Sequence, residues 1–276
     1  MHFCLNRATA GAGLPYDQFV QLAADAGFPG CDVELGWALM TSPAALRELF
    51  ESRRLRYGGW GVPFNWREQE ATWRDGMTEM EKFARVAAEL GIDSCATWLL
   101  PSSDRPLMEN WRFHVERLGP VAKVLREHGL RLGLEFVAPF HHRRAKPHEF
   151  IFTPGQMLEL AADVGDNVGL LVDSFHMYTA GDTWEHLASI PKEKIVLVHI
   201  NDAPKHPIPQ INDFDRYLPG DGVIDLAGFV GALQQTGYAG PVSIEVFNEE
   251  LKKLPPSEAA KKAWAACSGI GHSSRR

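Results

Sequence analysis

Four residues with carboxylate or imidazole side chains lie at the ends of four consecutive predicted strands. They are Glu135, Asp173, His199 and Glu245. Each follows or ends a short apolar run, the pattern of a strand buried on both faces of a parallel sheet. The interval between each one and the next is long enough to hold one helical crossover. All four side chains are therefore predicted to converge at one edge of a single sheet.

Three carboxylates at one point repel one another, because each raises the pKa of the others and disfavours their joint ionisation. A divalent metal ion held by Glu135, Asp173, His199 and Glu245 removes this conflict. An oxygen-rich set with one imidazole favours Mn²⁺, with Mg²⁺, Co²⁺ or Zn²⁺ as alternatives. Two simpler explanations stay open, namely that Asp173 is only a helix N-cap and that the set forms buried ion pairs at the rim of the sheet.

Strands and helices alternate along the whole chain. Hydrophobic spacing predicts eight strands, at 2–6, 31–35, 55–60, 94–99, 131–137, 168–173, 194–200 and 242–247. Helices are predicted at 16–26, 43–53, 73–90, 108–128, 154–164, 184–189, 226–236 and 255–267, several ending at a glycine. Eight such units favour a single (β/α)8 TIM barrel over residues 1–268, followed by a frayed tail at 269–276, over a doubly wound sheet. Chemistry in such a barrel sits at the C-terminal ends of the strands.

Composition narrows the classes of function. A net charge of −7 and a pI near 5.9 argue against a nucleic-acid partner, which needs a basic face. No run approaches the ~18 apolar residues of a membrane span, and the N-terminus has no signal-peptide pattern. The four cysteines are scattered without a CxxC pair, which is typical of reduced core thiols in a cytoplasmic protein. The expected partner is a small molecule, with a homo-oligomer as a further expectation.

The strand-end set, together with Asp173-x-x-His176, resembles that of the xylose isomerase-like barrel superfamily of sugar isomerases, epimerases and apurinic endonucleases. Over nearly the whole chain the likeness extends to the inosose (2-keto-myo-inositol) isomerase-like group. The matching segments are 4–9, 134–137, 167–170 leading into 173–176, 215–216, 219–226 and 243–247.

The resemblance implies that a keto-polyol substrate loses a proton to form an enediolate, which the metal stabilises. Glu135 or Glu245 would take the proton next to the carbonyl, and the same or the other glutamate would return it, giving isomerisation or epimerisation. His176 and Arg216 match positions that touch substrate oxygens in related epimerases, so they would polarise and orient the enediolate. A surface ion pair with Asp213 or Asp215 is the alternative for Arg216.

Further residues are candidates for substrate contacts. Trp60 and Trp98 end the third and fourth predicted strands, where aromatic rings pack on sugars or simply on the protein. His141 and Lys205 lie in two loops, 141–146 and 205–207, that depart from the inosose isomerase-like pattern and leave the substrate open. Glu34, at the predicted end of the second strand, could also reach the site, but the four proposed ligands leave no place for it on the metal.

Rival functions share the same site. A metal-dependent lyase or dehydratase acting on a keto-sugar or sugar-derived ring uses the same enolate but expels a β-substituent. An apurinic endonuclease needs additional histidines, whereas the third and fourth strands end in tryptophan and the segment 213–215 reads Asp-Phe-Asp. Retention of all four ligands argues against a non-catalytic regulator.

Overall fold

The computed structural model describes residues 1–270, so residues 271–276 of the predicted tail lie outside the described part of the chain. The strands are β1 His2–Leu5, β2 Gly30–Cys31, β3 Arg56–Tyr57, β4 Trp60–Gly61, β5 Ser94–Leu99, β6 Ser102–Ser103, β7 Arg131–Phe136, β8 His148–Glu149, β9 Val168–Asp173, β10 Ile195–Ile200 and β11 Pro241–Ile244. The helices are α1 Tyr16–Ala26, α2 Leu35–Met40, α3 Pro43–Glu51, α4 Glu70–Leu90, α5 Leu107–Glu127, α6 Phe140–Arg143, α7 Pro154–Val164, α8 Ser174–Ala180, α9 Trp184–Ser189, α10 Leu226–Thr236, α11 Glu249–Lys252 and α12 Pro256–Ser268.

Nine of the strands form one parallel sheet in the order β3-β2-β1-β11-β10-β9-β7-β5-β4. The two strands at the ends of this order, β3 and β4, are separated in the chain only by Gly58 and Gly59. They are two halves of one barrel strand, of which the first half pairs with β2 and the second with β5. The sheet therefore closes on itself, and the predicted (β/α)8 TIM barrel is confirmed.

The third barrel strand is interrupted where the prediction had it continuous, because a glycine is required at the break. A Cβ added to Gly59 would lie 2.5 Å from Cδ2 of Leu197 on the opposite wall of the barrel. Leu197 forms a small apolar cluster inside the barrel with Ala96 and Leu171. The backbone at Gly59 thus approaches the barrel interior more closely than a side chain permits.

The second barrel strand is shorter than predicted. The regular strand ends at Cys31, although Asp32 and Val33 still donate backbone hydrogen bonds to Leu5 and Gly59. Helix α2 begins at Leu35, a residue that the sequence analysis assigned to the strand. Helix α2 is a short helix that the hydrophobic spacing did not reveal, and α8 and α11 are two others. The predicted loop 138–152 likewise contains α6 and the strand β8, which pairs with β6.

The outer helices pack on the barrel through apolar faces, and side-chain caps fix several of their starts. Ser42, Thr153 and Asp225 each accept a backbone N–H from the first turn of the helix that follows. All four cysteines are free and buried, as the sequence predicted. Among the helices within residues 1–270, none has the length and apolarity needed to cross a lipid bilayer.

Candidate metal centre

Four ligand atoms converge at the C-terminal mouth of the barrel. One side-chain atom from each of Glu135, Asp173, His199 and Glu245 lies within 4.8 Å of all the others. Nδ1 of His199 is 3.3 Å from Oε2 of Glu245, 3.7 Å from Oε1 of Glu135 and 3.9 Å from Oδ2 of Asp173. The structure therefore brings the predicted ligand set together.

The strands β7, β9 and β10 position three of these residues directly. Glu135 and Asp173 lie at the ends of β7 and β9, and His199 is the next-to-last residue of β10. Glu245 lies just beyond β11, so the prediction that it belongs to the eighth strand is wrong by one residue. Its place is fixed by Thr9, whose hydroxyl donates to the carbonyl of Ile244 and accepts the N–H of Val246.

Asp173 has two roles at once. Its Oδ1 accepts the backbone N–H groups of Phe175 and His176, so it is the N-cap of α8 that the simpler explanation proposed. Its Oδ2 accepts from Asn201 at 3.0 Å and from Arg216 at 2.9 Å. Capping and membership of the cluster are therefore not alternatives, because different oxygens of one carboxylate serve each.

Arg216 is a buried residue of the site rather than half of a surface ion pair. Only 1% of it is exposed, and its Nη1 lies 2.9 Å from Oδ2 of Asp173 and 3.1 Å from Oε2 of Glu245. Its other face pairs with Asp213 at 2.8 Å, so one predicted partner is correct although the surface location is wrong. The guanidinium links two of the candidate metal ligands.

His176 lies against the same guanidinium. Its Nε2 is 3.2 Å from Nη2 of Arg216 and 3.9 Å from Oε1 of Glu135, and only 1% of the residue is exposed. Arg216 and His176 thus form one wall beside the cluster.

The electrostatics of the cluster are dominated by burial and by the shortage of positive charge. Burial raises the pKa of Glu135, and the nearby His199 offsets only part of that effect. Burial alone would raise the pKa of Glu245, but the neighbouring His199 and Arg216 outweigh it and lower this pKa. Burial also opposes the charged form of His199, yet the carboxylates of Glu245 and Glu135 raise the pKa of the imidazole well above its usual range.

The cluster fits a divalent cation. Two of its buried atoms, Oε1 of Glu135 and Nδ1 of His199, have no hydrogen-bond partner among residues 1–270. Buried polar atoms are normally paired, so such orphans call for an explanation. Without a metal, Arg216 and a protonated His199 supply two positive charges against the carboxylates of Glu135, Asp173 and Glu245. A metal ion provides both the missing charge and the missing partners.

Two cavities open on either side of the cluster. The first cavity, of about 250 Å³, is lined by residues that include Asp32, Trp60, Leu171, Leu197 and His199. The second cavity, of about 280 Å³, is lined by residues that include Val137, His176, Phe214, Arg216 and Phe247. The two share Trp98, Glu135 and Glu245, so these three side chains stand between them.

The predicted substrate-contact residues divide into two groups. Trp60 and Trp98 line the cavities, as the aromatic-wall hypothesis required. His141 and Lys205 are exposed and lie outside both linings. The residue of the basic loop that does face the second cavity is His142, whose Nε2 lies 3.4 Å from Oδ2 of Asp213. A role for His141 or Lys205 in substrate binding stays a prediction.

Several lining residues escaped the sequence analysis. Asp32 lines the first cavity, and so does Glu34, which was taken as the end of the strand and which pairs with Arg7. The alternation of side chains in a strand puts Asp32 and Glu34 on one face, so the signal was present. Phe247 is the last residue of the predicted eighth strand, whereas Phe214 lies outside every predicted strand and helix, and only the folded chain brings their rings to a centroid distance of 6.1 Å.

The loop that carries Arg216 is tied by a single carboxylate. The side chain of Asp202, just after β10, accepts the backbone N–H groups of Ala203, Gly220, Gly222 and Ile224. Tyr217 also pairs with the backbone of Asp202 in an antiparallel bridge. The loop 203–224 is thus closed at its base next to the site, and this places Arg216 over the cluster.

Comparison with known proteins agrees with this geometry. The model of the family described as xylose isomerase-like TIM barrel matches residues 13–267. The chain belongs to that family. Among curated relatives, an inosose isomerase from Halalkalibacterium halodurans is 31% identical over 204 residues, covering 73% of this chain and 70% of the relative. An inosose dehydratase from Erwinia tasmaniensis is 26% identical over 272 residues, covering 90% and 87%.

Two solved structures of this family superpose on the whole barrel. A xylose isomerase domain protein from Alicyclobacillus acidocaldarius has a TM-score of 0.90 at 31% identity and covers 98% of each chain. The IolI protein, solved with a bound zinc atom, has a TM-score of 0.78 at 27% identity and also covers 98% of each chain. The curated relatives are named as an isomerase and a dehydratase, so the chain belongs to an enzyme family, and its buried four-residue cluster suggests a divalent metal.

Proposed function

We propose that this protein is a divalent-metal-dependent isomerase or epimerase of keto-polyols, of the inosose isomerase type, which works by proton transfer next to a ketone. The observation that carries the proposal is the cluster of Glu135, Asp173, His199 and Glu245 with two unpartnered buried atoms. Its setting between two cavities, beside a buried arginine and histidine, gives a substrate access from both sides.

Glu135, Asp173, His199 and Glu245 are the residues that would hold the metal. Manganese is the ion that we propose, although the IolI relative was solved with zinc. When bound, a divalent cation acts as a Lewis acid that polarises the substrate ketone and lowers the barrier to loss of the neighbouring proton.

Glu135 and Glu245 are the proposed acid–base groups. The side chains of these two glutamates line both cavities, so each can reach a carbon of a substrate that lies across the cluster. One glutamate removes the proton from the carbon next to the carbonyl, and the same or the other glutamate returns it. Return to the neighbouring carbon gives the isomer, and return to the opposite face of the same carbon gives the epimer.

Arg216 and His176 orient the substrate. Their side chains form one wall of the second cavity, and both are almost fully buried, so neither moves freely. The N–H groups of Arg216 already bond to Asp173, Asp213, Glu245 and His176, so the guanidinium stabilises the enediolate through its fixed positive charge, close to the oxygens on which negative charge develops. Phe214 and Phe247 supply apolar surface on the same side.

Deuterium exchange tests the proposal. Protein loaded with Mn²⁺ is incubated with 2-keto-myo-inositol and a panel of ketoses in D₂O, and carbon-bound deuterium is followed by NMR. We expect exchange in the wild type and its loss, by a factor of about 10² or more, in Glu135→Gln and Glu245→Gln. The exposed Glu159 on α7 gives a matched control, Glu159→Gln, which is expected to keep full activity. Absence of exchange across the panel, or full activity in either site variant, would refute the assignment.

A dehydratase acting on a keto-sugar or a sugar-derived ring is the second candidate. The inosose dehydratase relative favours it, because that likeness covers 90% of this chain. The same residues would form the enolate, but a β-hydroxyl would leave as water. Accumulation of an unsaturated ketone in the exchange assay, seen by its ultraviolet absorbance, identifies this outcome. A cytoplasmic location and a homo-oligomeric state stay predictions.

A further inference from the structure

The wall of the first cavity has a polar and an apolar side. Leu171, Leu197 and Ala96 form an apolar floor that belongs to the barrel interior. Asp32 and Trp60 lie in the lining of the same cavity. A ring polyol has this division too, because its C–H faces are apolar and its edge carries hydroxyl groups.

Asp32 is held in one orientation by two neighbouring barrel strands. Its Oδ2 accepts a hydrogen bond from Nδ2 of Asn6 at 2.8 Å, and its Oδ1 accepts from the hydroxyl of Ser243. Glycine at position 58 leaves the space that this carboxylate occupies, since a Cβ there would overlap Oδ1. Each carboxylate oxygen has two lone pairs, so Asp32 retains the capacity to accept another hydrogen bond.

Trp60 provides a donor in the same cavity. The residue is only 4% exposed, and its indole Nε1 has no hydrogen-bond partner within residues 1–270. Buried indole N–H groups usually find a partner. A fixed acceptor in the lining, and a buried donor without a partner on another residue of the same lining, are the two groups that a substrate hydroxyl needs.

We propose that Asp32 and Trp60 form a hydroxyl-binding subsite that selects cyclic polyols, by holding a ring hydroxyl remote from the ketone. The subsite lies in the first cavity, and Glu135 and Glu245 stand between it and the Arg216–His176 wall. The ring lies with one C–H face on Leu171 and Leu197. This inference rests on the proposed function and deepens it, since it names a feature of the substrate that the metal cluster does not select.

A purely structural role for Asp32 makes a different prediction. In that case the carboxylate only ties together the barrel strands that carry Asn6, Asp32 and Ser243, and its loss would weaken binding of every ligand alike. The subsite instead requires that the loss depends on the hydroxyls of the ligand. Two probes separate the cases: 2-keto-myo-inositol, and 2-hydroxycyclohexanone, which keeps the ketone and one adjacent hydroxyl but lacks the remote ones.

Binding of both probes is measured by isothermal titration calorimetry on the full-length chain loaded with Mn²⁺. We expect Asp32→Asn to weaken binding of 2-keto-myo-inositol by roughly ten- to hundredfold, as for a hydrogen bond to a charged group. Trp60→Phe, which removes only the N–H donor, is expected to weaken it by roughly two- to tenfold. Neither variant should change the affinity for 2-hydroxycyclohexanone. Asp104→Asn, at an exposed carboxylate paired with Lys146, is the control.

Equal losses for the two probes, or no loss for either, would overturn the subsite. So would a wild-type protein that binds 2-hydroxycyclohexanone as tightly as 2-keto-myo-inositol, or that binds neither. If Asp32→Asn does not fold, as judged by circular dichroism, Trp60→Phe alone decides between these outcomes. The exchange assay reports separately on the proposed function: binding that depends on Asp32 without exchange would sink the isomerase assignment and leave the subsite intact.

Discussion

Replacement of Arg216 by methionine tests the electrostatic account of the site. Methionine keeps much of the apolar stem, which packs with Phe175 and Phe247, but removes the positive charge. The change leaves three buried or partly buried carboxylates, those of Asp173, Asp213 and Glu245, without their guanidinium partner. The perturbation is therefore confined to charge at the centre of the site.

The size of the effect follows from what each carboxylate retains. Asp173 keeps its donors from Phe175, His176 and Asn201, whereas Asp213 keeps only the longer contact with His142. Breaking a buried ion pair by removing one partner costs about 3–5 kcal/mol of unfolding free energy. For a chain of this size that corresponds to a fall of roughly 6–15 °C in Tm.

Thermal unfolding in EDTA and in MnCl₂ provides the assay. In EDTA we expect Arg216→Met to show the full destabilisation. Because its cluster is more negative, Mn²⁺ should raise the Tm of the variant by more than that of the wild type. Arg126→Met removes an exposed guanidinium with one partner, Asp166, and should cost less than about 1 kcal/mol. An unchanged Tm for Arg216→Met, or a smaller Mn²⁺ response than in the wild type, would refute the reasoning.

Two further predictions concern stability away from the metal. The pKa of His114 is lowered to about 4, mainly by burial and further by repulsion from Arg67 and Arg105. The hydrogen bond to the carbonyl of Asn110 offsets only part of this decrease. On acidification the unfolded chain protonates this imidazole at a higher pH than the folded chain does, so the unfolding free energy should fall by about 3 kcal/mol between pH 6.5 and pH 4. Urea denaturation at several pH values should show a flatter pH profile for His114→Phe than for the wild type. Identical profiles would contradict this prediction. Gly59→Ala should lower the unfolding free energy by about 1–3 kcal/mol, because the added methyl group presses against Leu197. Leu197→Ala should relieve that strain in the double variant. Strictly additive losses of unfolding free energy would show that the two positions do not touch.

The sequence predicted those parts of the site that regular structure delivers. Glu135 and Asp173 come at the ends of short, mainly apolar runs, so burial on both faces of the sheet and a carboxylate at the strand end could be predicted from the order of the residues. Their convergence needed only the knowledge that parallel strands end together. The barrel followed from the same regularity, because eight strand–helix units leave few alternatives.

The rest of the site depends on backbone that deviates from regular structure. The second barrel strand gives way to the short helix α2 at Leu35, so the predicted end of that strand was wrong, although Asp32 and Glu34 both line the first cavity. Arg216 sits in a long loop, and its three carboxylate partners come from different parts of the fold. Hydrophobic periodicity carries no information about such loops, so a surface ion pair and a buried guanidinium were indistinguishable before folding.

The hydrogen bonds that the carboxylate of Asp202 accepts from the loop have a consequence for protein engineering. A loop whose two ends bond to the same carboxylate is closed at its base. At Arg216 the same loop is held by the barrel, because Phe247 and Asn248 bond to the backbone of that residue. Transfer of residues 202–224 to another barrel of this family would therefore place the guanidinium correctly only if the recipient supplies the same contacts after its eighth strand.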